Sequence, residues 1–178
     1  MRTPKLLISA FCLVAILAFP QEHQHDPAAS HPGASSAEGQ QHHEDVSKHG
    51  DMAMGFSHLK TTHHFWLTKS GGVISVEVND PKDMTSLDQI RMHLQHISQA
   101  FKQGDFSAPE MTHSRVPPGV DVMQRTKANI DYRYIRTKLG GKVVIATTNP
   151  EALEAIHRFL KFQIEDHGTG DPLKVRAN

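Results

Sequence analysis

Histidine is the residue type in this chain most suited to chemistry: 14 of 178 positions, against a single cysteine. A neutral imidazole is a good ligand for Cu²⁺, Zn²⁺ and Ni²⁺ and changes charge near neutrality. Half of the histidines (His23, His25, His31, His42, His43, His49 and His58) crowd a short N-terminal arm that also holds Met52 and Met54. His-rich tracts read as metal-capturing by composition, and interspersed thioethers favour Cu⁺. The plainer reading of the same arm is a solvated spacer. The others are His63, His64, His93, His96, His113, His157 and His167. His93 and His96 are spaced i, i+3, so on a helix they are neighbours. With His63 or His64 from an adjoining strand and His113 from a loop, they would supply the three or four imidazoles that Zn²⁺ or Cu²⁺ requires. The plainer reading of each is a rim or surface histidine. His167, at a helix C-terminus, is explained equally well by the helix dipole.

Other chemistries find little to work with. Cys12 lies in the leading apolar stretch, so the remainder of the chain has no thiol for disulfides, iron–sulfur clusters or Cys–His nucleophiles. There is no Gly-x-Ser-x-Gly, phosphate-cradling glycine loop, His-Glu-x-x-His or EF-hand loop. Ser114-Arg115 beside His113 is too little for a triad, and no catalytic residue is assigned. Without Cys-x-x-Cys-His, haem could be held only non-covalently, on His93 or His64 flanked by Phe65, Trp66 and Tyr134; this is a lesser alternative to copper or zinc.

The elements that must position these residues come from a pattern written twice. Thr68-Lys69-Ser70-Gly71-Gly72 is answered by Thr137-Lys138-Leu139-Gly140-Gly141, and Asp80-Pro81 by Asn149-Pro150. Leu87, Ile90 and Leu94 then correspond to Leu153, Ile156 and Leu160, and Gly104-Asp105 to Gly170-Asp171, with three extra residues in the first copy between Pro81 and Leu87. Each copy reads as strand, Gly-Gly turn, strand, Pro-initiated loop and amphipathic helix. Thr62 to Lys69 and Val73 to Asn79 alternate as a half-buried hairpin, with His63, Phe65 and Leu67 on one face and His64 and Trp66 on the other. Leu87, Ile90, Leu94, Ile97 and Phe101 form the stripe of a helix ending at Gly104, with His93 on its rim and His96 exposed. Pro109, Pro117, Pro118 and Gly119 make the linker irregular, with a short helix expected over Val120 to Lys127. Strands over Ile130 to Thr137 and Val143 to Thr148 precede a helix capped by Asn149 and Pro150, with Leu153, Ile156, Leu160 and Ile164 as its stripe. Under this alignment His63, His64 and His93 match Tyr132, Arg133 and Phe159, and His167 matches Phe101, so any site is single and asymmetric.

The predicted fold is therefore an α+β two-layer sandwich: a duplicated ββα unit forming a four-stranded, mainly antiparallel sheet with two helices on one face. Copy one spans 59–105, the linker 106–128 and copy two 129–171; residues 172–178 read as a frayed tail. Before the domain, residues 1–20 read as a signal peptide, with Arg2 and Lys5 ahead of an apolar stretch from Leu6 to Phe19 too short for a membrane span. Residues 21–58 lack apolar periodicity and read as a disordered arm. The arm holds six acidic residues against Lys48 alone. From Leu59 onward sixteen Lys/Arg meet thirteen Asp/Glu without clustering, so nucleic-acid binding is not expected. The sheet face left bare by the helices permits a homodimer.

Thr61-Thr62-His63-His64-Phe65, Gly71-Gly72-Val73-Ile74, Gly104-Asp105-Phe106, Pro117-Pro118-Gly119 and Pro150-Glu151-Ala152-Leu153 with Phe162-Gln163-Ile164 together resemble a group of small exported bacterial proteins of unknown role, from about His58 to Asp171. Some of that group carry the label aspartate carbamoyltransferase. This chain has no Ser-Thr-Arg-Thr-like carbamoyl-phosphate loop and is too short for two α/β domains. The resemblance implies location and fold and carries over no catalytic residue. The expectation is a periplasmic or secreted, non-enzymatic metal-binding protein, copper favoured, or else a structural or interaction module with incidental histidines.

Overall fold

The computed structural model describes residues 34–176, with side chains from Gly39 onward other than that of His43. The expected signal peptide, with His23 and His25 of the arm, lies outside the described residues, as does the His43 side chain. The architecture is the α+β two-layer arrangement predicted. Four strands, β1 (Thr61–Thr68), β2 (Gly71–Val78), β3 (Ile130–Arg136) and β4 (Gly140–Thr147), form one antiparallel sheet in the order β1-β2-β4-β3. Helices α2 (Met84–Gln103) and α5 (Pro150–Asp166) cover one face. The two hairpins share one register: His63 faces Val76 in the first, and Tyr132 faces Ile145 in the second.

The two Gly-Gly pairs are not the turns that the sequence suggests. The loops are Lys69-Ser70 and Lys138-Leu139, and both glycine pairs open a central strand. Their work is close approach. A Cβ on Gly71 would lie 2.2 Å from the Ile145 carbonyl oxygen, and one on Gly140 would lie 2.0 Å from that of Val76, so these positions let β2 and β4 pair. A Cβ on Gly72 would meet Leu160 Cδ1 at 2.0 Å, and one on Gly141 would meet Leu94 Cδ1 at 3.2 Å. Each glycine thus seats a leucine from the other half's helix. Helix α2 lies mainly over β3 and β4, and α5 mainly over β1 and β2. Between the layers Leu67, Val76, Ile90, Leu94, Val143, Ile145, Ile156 and Leu160 are almost wholly buried.

Helix α2 ends, and α5 begins, where their sequence signals place them. Asp83 accepts the Ser86 N–H, Asn149 accepts the Ala152 N–H ahead of Pro150, and Gly104 closes α2 at φ +83°. Helix α5 is buried beyond its predicted stripe. Ala152, Ala155, Phe162, Gln163 and Asp166 are also covered, because two short helices, α3 (Ser107–His113) and α4 (Val120–Arg125), flank it. The linker was expected to be irregular up to Val120, and α3 is the part of it that differs.

Two other expectations are corrected. The arm is not structureless throughout: Ala34–Met54 form helix α1, packed along α3. The described part of the tail, residues 172–176, is not frayed either. The Asp171 carboxylate accepts the Phe65 N–H at 2.9 Å, the Trp66 indole N–H at 3.1 Å and the His64 Nδ1–H at 3.0 Å, and the Arg176 N–H donates to the Leu67 carbonyl at 2.9 Å. The segment from Thr169 to Arg176 therefore runs along the outer edge of β1, with the Arg176 guanidinium 4.0 Å above the Trp66 ring. This covers one sheet edge and leaves β3 at the other.

Candidate functional site

Strand alternation turns His63 inward, under the helix layer, and the rim position of His93 on α2 aims it at the same place. There, at one end of the core, a cavity of about 70 Å³, open on one side, is lined by His63, His93, His113, His167, Met54 and Gln163 over a floor of Phe65, Val76 and Leu94. The rings are close: His63 and His167 stack at 6.1 Å between centroids, 6° from parallel, and His113 meets His167 edge-on at 4.9 Å. Phe56, buried just after α1, stacks on His63 and meets His93 edge-on. A polar contact in the wall joins His63 Nε2 to Met54 Sδ, at 3.2 Å.

Burial governs the electrostatics. It lowers the pKa of His63 to about 4, with the neighbouring His93 adding to the effect. His93 is likewise lowered to about 4, by burial and then by His96. Both imidazoles are therefore neutral at pH 7, the form in which a ring nitrogen can coordinate.

His113 lines the cavity but is otherwise engaged. Its side chain is fully buried; Nδ1–H donates to Asp166 Oδ2 at 2.6 Å, and Nε2 lies 3.0 Å from the Gln163 side-chain amide. Asp166 also accepts from His42 on α1 and from Arg115, each at 2.9 Å. Burial pushes the Asp166 carboxyl up, but the hydrogen bonds from His42 and His113 outweigh it and hold it below the ordinary carboxylate range. Asp166 thus ties α1, the end of α3 and the cavity wall to one anion. Gln163 Nε2, on that wall, is buried without a hydrogen-bond partner.

The residues expected to converge do so only in part. His63 and His93 share the cavity, and His113 borders it with both nitrogens committed. His64 lies on the opposite face of the sheet, bound to Asp171 and stacked on Trp66 at 5.3 Å. His96 is exposed one turn further round α2. The flanking set named for haem is also divided, because Phe65 and His93 lie beneath the sheet while His64 and Trp66 lie above it. Among the arm residues, Met54 reaches the cavity and Met52 is exposed. His42 pairs with Asp166, His49 with Ser114, and His58 with Asp51. His157 donates to the Thr68 carbonyl at 2.9 Å. Sequence reasoning missed Met54 and His167 as wall residues. The signal for His167 was its replacement of Phe101, an inward position, in the comparison of the two halves. Among the described residues, no three His, Cys, Asp or Glu side chains converge to hold a metal ion. Compared with protein-family models, curated proteins and solved structures, the chain matches none.

Proposed function

We propose that this is an exported, non-enzymatic protein that binds a transition-metal ion, copper in preference to zinc, in the cavity beneath β1. The observation that carries the reading is the 3.2 Å approach of Met54 Sδ to His63 Nε2 in a wall that also holds His93 and His167. With metal–nitrogen and metal–sulfur bonds of about 2.0 and 2.3 Å, a separation of that size subtends roughly 95° at a shared ion. A thioether beside neutral imidazoles is a soft donor set and suits Cu⁺. The histidine-rich sequence before Met54 would raise the local concentration of captured ions. A structural or interaction module is the second reading, favoured by the partners that His64, His113 and His157 find within the fold.

An anaerobic titration with Cu⁺ against a chromophoric chelator tests this. One tight equivalent, lost in His63→Ala and kept in His64→Ala and His96→Ala, is the expected result. Weak multivalent binding that is indifferent to His63→Ala would place the capacity in the arm and leave the cavity without a role.

A further inference from the structure

Met54 does not belong to the ββα body; it is the last residue of α1. We infer that α1 is the movable wall of the cavity, that its docking brings in the donor which selects Cu⁺ over Zn²⁺, and that an ion bound there holds the helix down. This rests on the reading of the cavity as a metal site and assigns the selectivity and its control to the histidine-rich segment itself.

Helix α1 is lightly held. Among its described side chains only Val46 is buried, and a second buried position is Gly50, where a Cβ would come within 3.6 Å of Thr112 Cγ2. The remaining ties are polar: His42 to Asp166 at 2.9 Å, His49 to Ser114 at 3.4 Å and, across Gly55, Asp51 to the His58 N–H at 2.7 Å. A helix that buries so little apolar area draws little stability from tertiary packing, the usual source for helices in proteins. Its connection to the body is a single glycine that stops the helix, its N–H donating to the Asp51 carbonyl at 2.9 Å. Gly55 has φ +79° with open space where a side chain would be, and the next residue, Phe56, is fixed in the core against His63 and His93. Rotation at Gly55 that parts Asp51 from His58 would withdraw Met54 while Phe56 stays in the core.

The chemistry of the cavity changes with that movement. With α1 docked, the wall offers a thioether and imidazoles. With α1 withdrawn, it offers imidazoles alone, a set that serves Zn²⁺ or Cu²⁺ as well as any other ion. Met54 is then the specificity-determining residue, and His42 is a positioning residue that acts through Asp166 on the helix and not on the ion.

Trypsin provides the readout, because Lys48 is the only Lys or Arg between residues 21 and 58 and is exposed on α1. Cleavage after Lys48 is followed by mass spectrometry on the full chain, without metal and with Cu⁺ or Zn²⁺ supplied alone, and ion binding is measured on the same samples. Free Cu⁺ at 100 times its Kd can suppress helix opening by up to about a hundredfold, so slowing of cleavage by about tenfold or more is expected, with Zn²⁺ giving under about twofold. Met54→Leu should abolish the Cu⁺ protection and weaken Cu⁺ binding by about tenfold or more while leaving Zn²⁺ binding unchanged, with circular dichroism confirming the fold. His42→Ala should speed metal-free cleavage and weaken Cu⁺ binding less than Met54→Leu does. Wild-type protein that binds Cu⁺ through His63 yet is cut at the same rate with and without it overturns the inference and spares the metal site. So does Met54→Leu protein that holds Cu⁺ as tightly as the wild type. Absence of Cu⁺ binding in the wild type removes both.

Discussion

Acid should destabilise the metal-free protein through the two imidazoles at the cavity. His63 and His93 are lowered from 6.5 to about 4 in the folded state by burial and by their histidine neighbours. The unfolded chain takes up a proton at each near pH 6.5, whereas the folded chain resists until about pH 4. Between those values the unfolded state binds more protons, so stability is full above about pH 7 and falls as the pH drops. At pH 5.0 the loss relative to pH 7.5 is about 2 kcal/mol for His63, and somewhat less than twice that for the pair, because part of the depression at His63 is the charge of His93 itself. The perturbation is His63→Gln, which keeps a polar side chain and cannot titrate. Urea unfolding followed by Trp66, the single tryptophan, in the presence of a chelator gives the assay. With an m-value of about 2 kcal/mol per molar urea, the wild-type midpoint should fall between pH 7.5 and 5.0 by about 1 M more than that of the variant. Every other histidine is common to both proteins, so the difference of the two drops isolates His63. Parallel drops in wild type and His63→Gln would refute the claim that the imidazole is held neutral by burial.

Three further outcomes follow from the packing. Gly72→Ala forces a methyl into Leu160 and towards the Trp66 carbonyl, at 2.0 and 2.6 Å, and should cost about 3 kcal/mol in urea unfolding; Gly141→Ala meets only the side chains of Tyr134 and Leu94 at its two nearest points and should cost about 1 kcal/mol. Asp166→Asn leaves the fully buried His113 without its carboxylate and should cost about 3 kcal/mol, whereas Arg115→Ala, on a mostly exposed partner of the same carboxylate, should cost under about 1 kcal/mol by the same measurement. Asp171→Ala removes the acceptor for the Phe65 and Trp66 N–H groups, with an expected loss of about 2 kcal/mol and faster hydrogen exchange at the Phe65 and Arg176 amides.

Much of the scaffold could be read from residue order because its signals are local. Alternation placed β1 and β2 and separated His63 from His64. The stripe Leu87, Ile90, Leu94, Ile97 and Phe101 gave the buried face of α2, and Gly104, Asn149 and Pro150 marked helix ends. The misread parts depend on neighbours distant in sequence. A Gly-Gly pair beside a turn looks like the turn; that it seats Leu160 or Leu94 is visible only when the other half's helix lies above it. Helix α1 carries almost no apolar stripe, so periodicity could not announce it, and α3 is too short to show a period. The tail is held by one carboxylate meeting a strand edge, an interaction with no sequence motif. For the site, the inward aim of His63 and His93 was legible, whereas the contribution of Met54 depends on the angle at which α1 returns to the body.

The crossed seating of the two helices has a consequence for how the chain must assemble. A hairpin closed on its own helix would leave its glycine notch unfilled and that helix's leucine without a seat, so neither half has a complete core to itself. The contacts that would commit the chain to its native state span the linker, which favours late, all-or-none consolidation over half-by-half folding. Cut within that linker, the two pieces would each need the other as a template, and mixing them should restore structure that neither attains by itself.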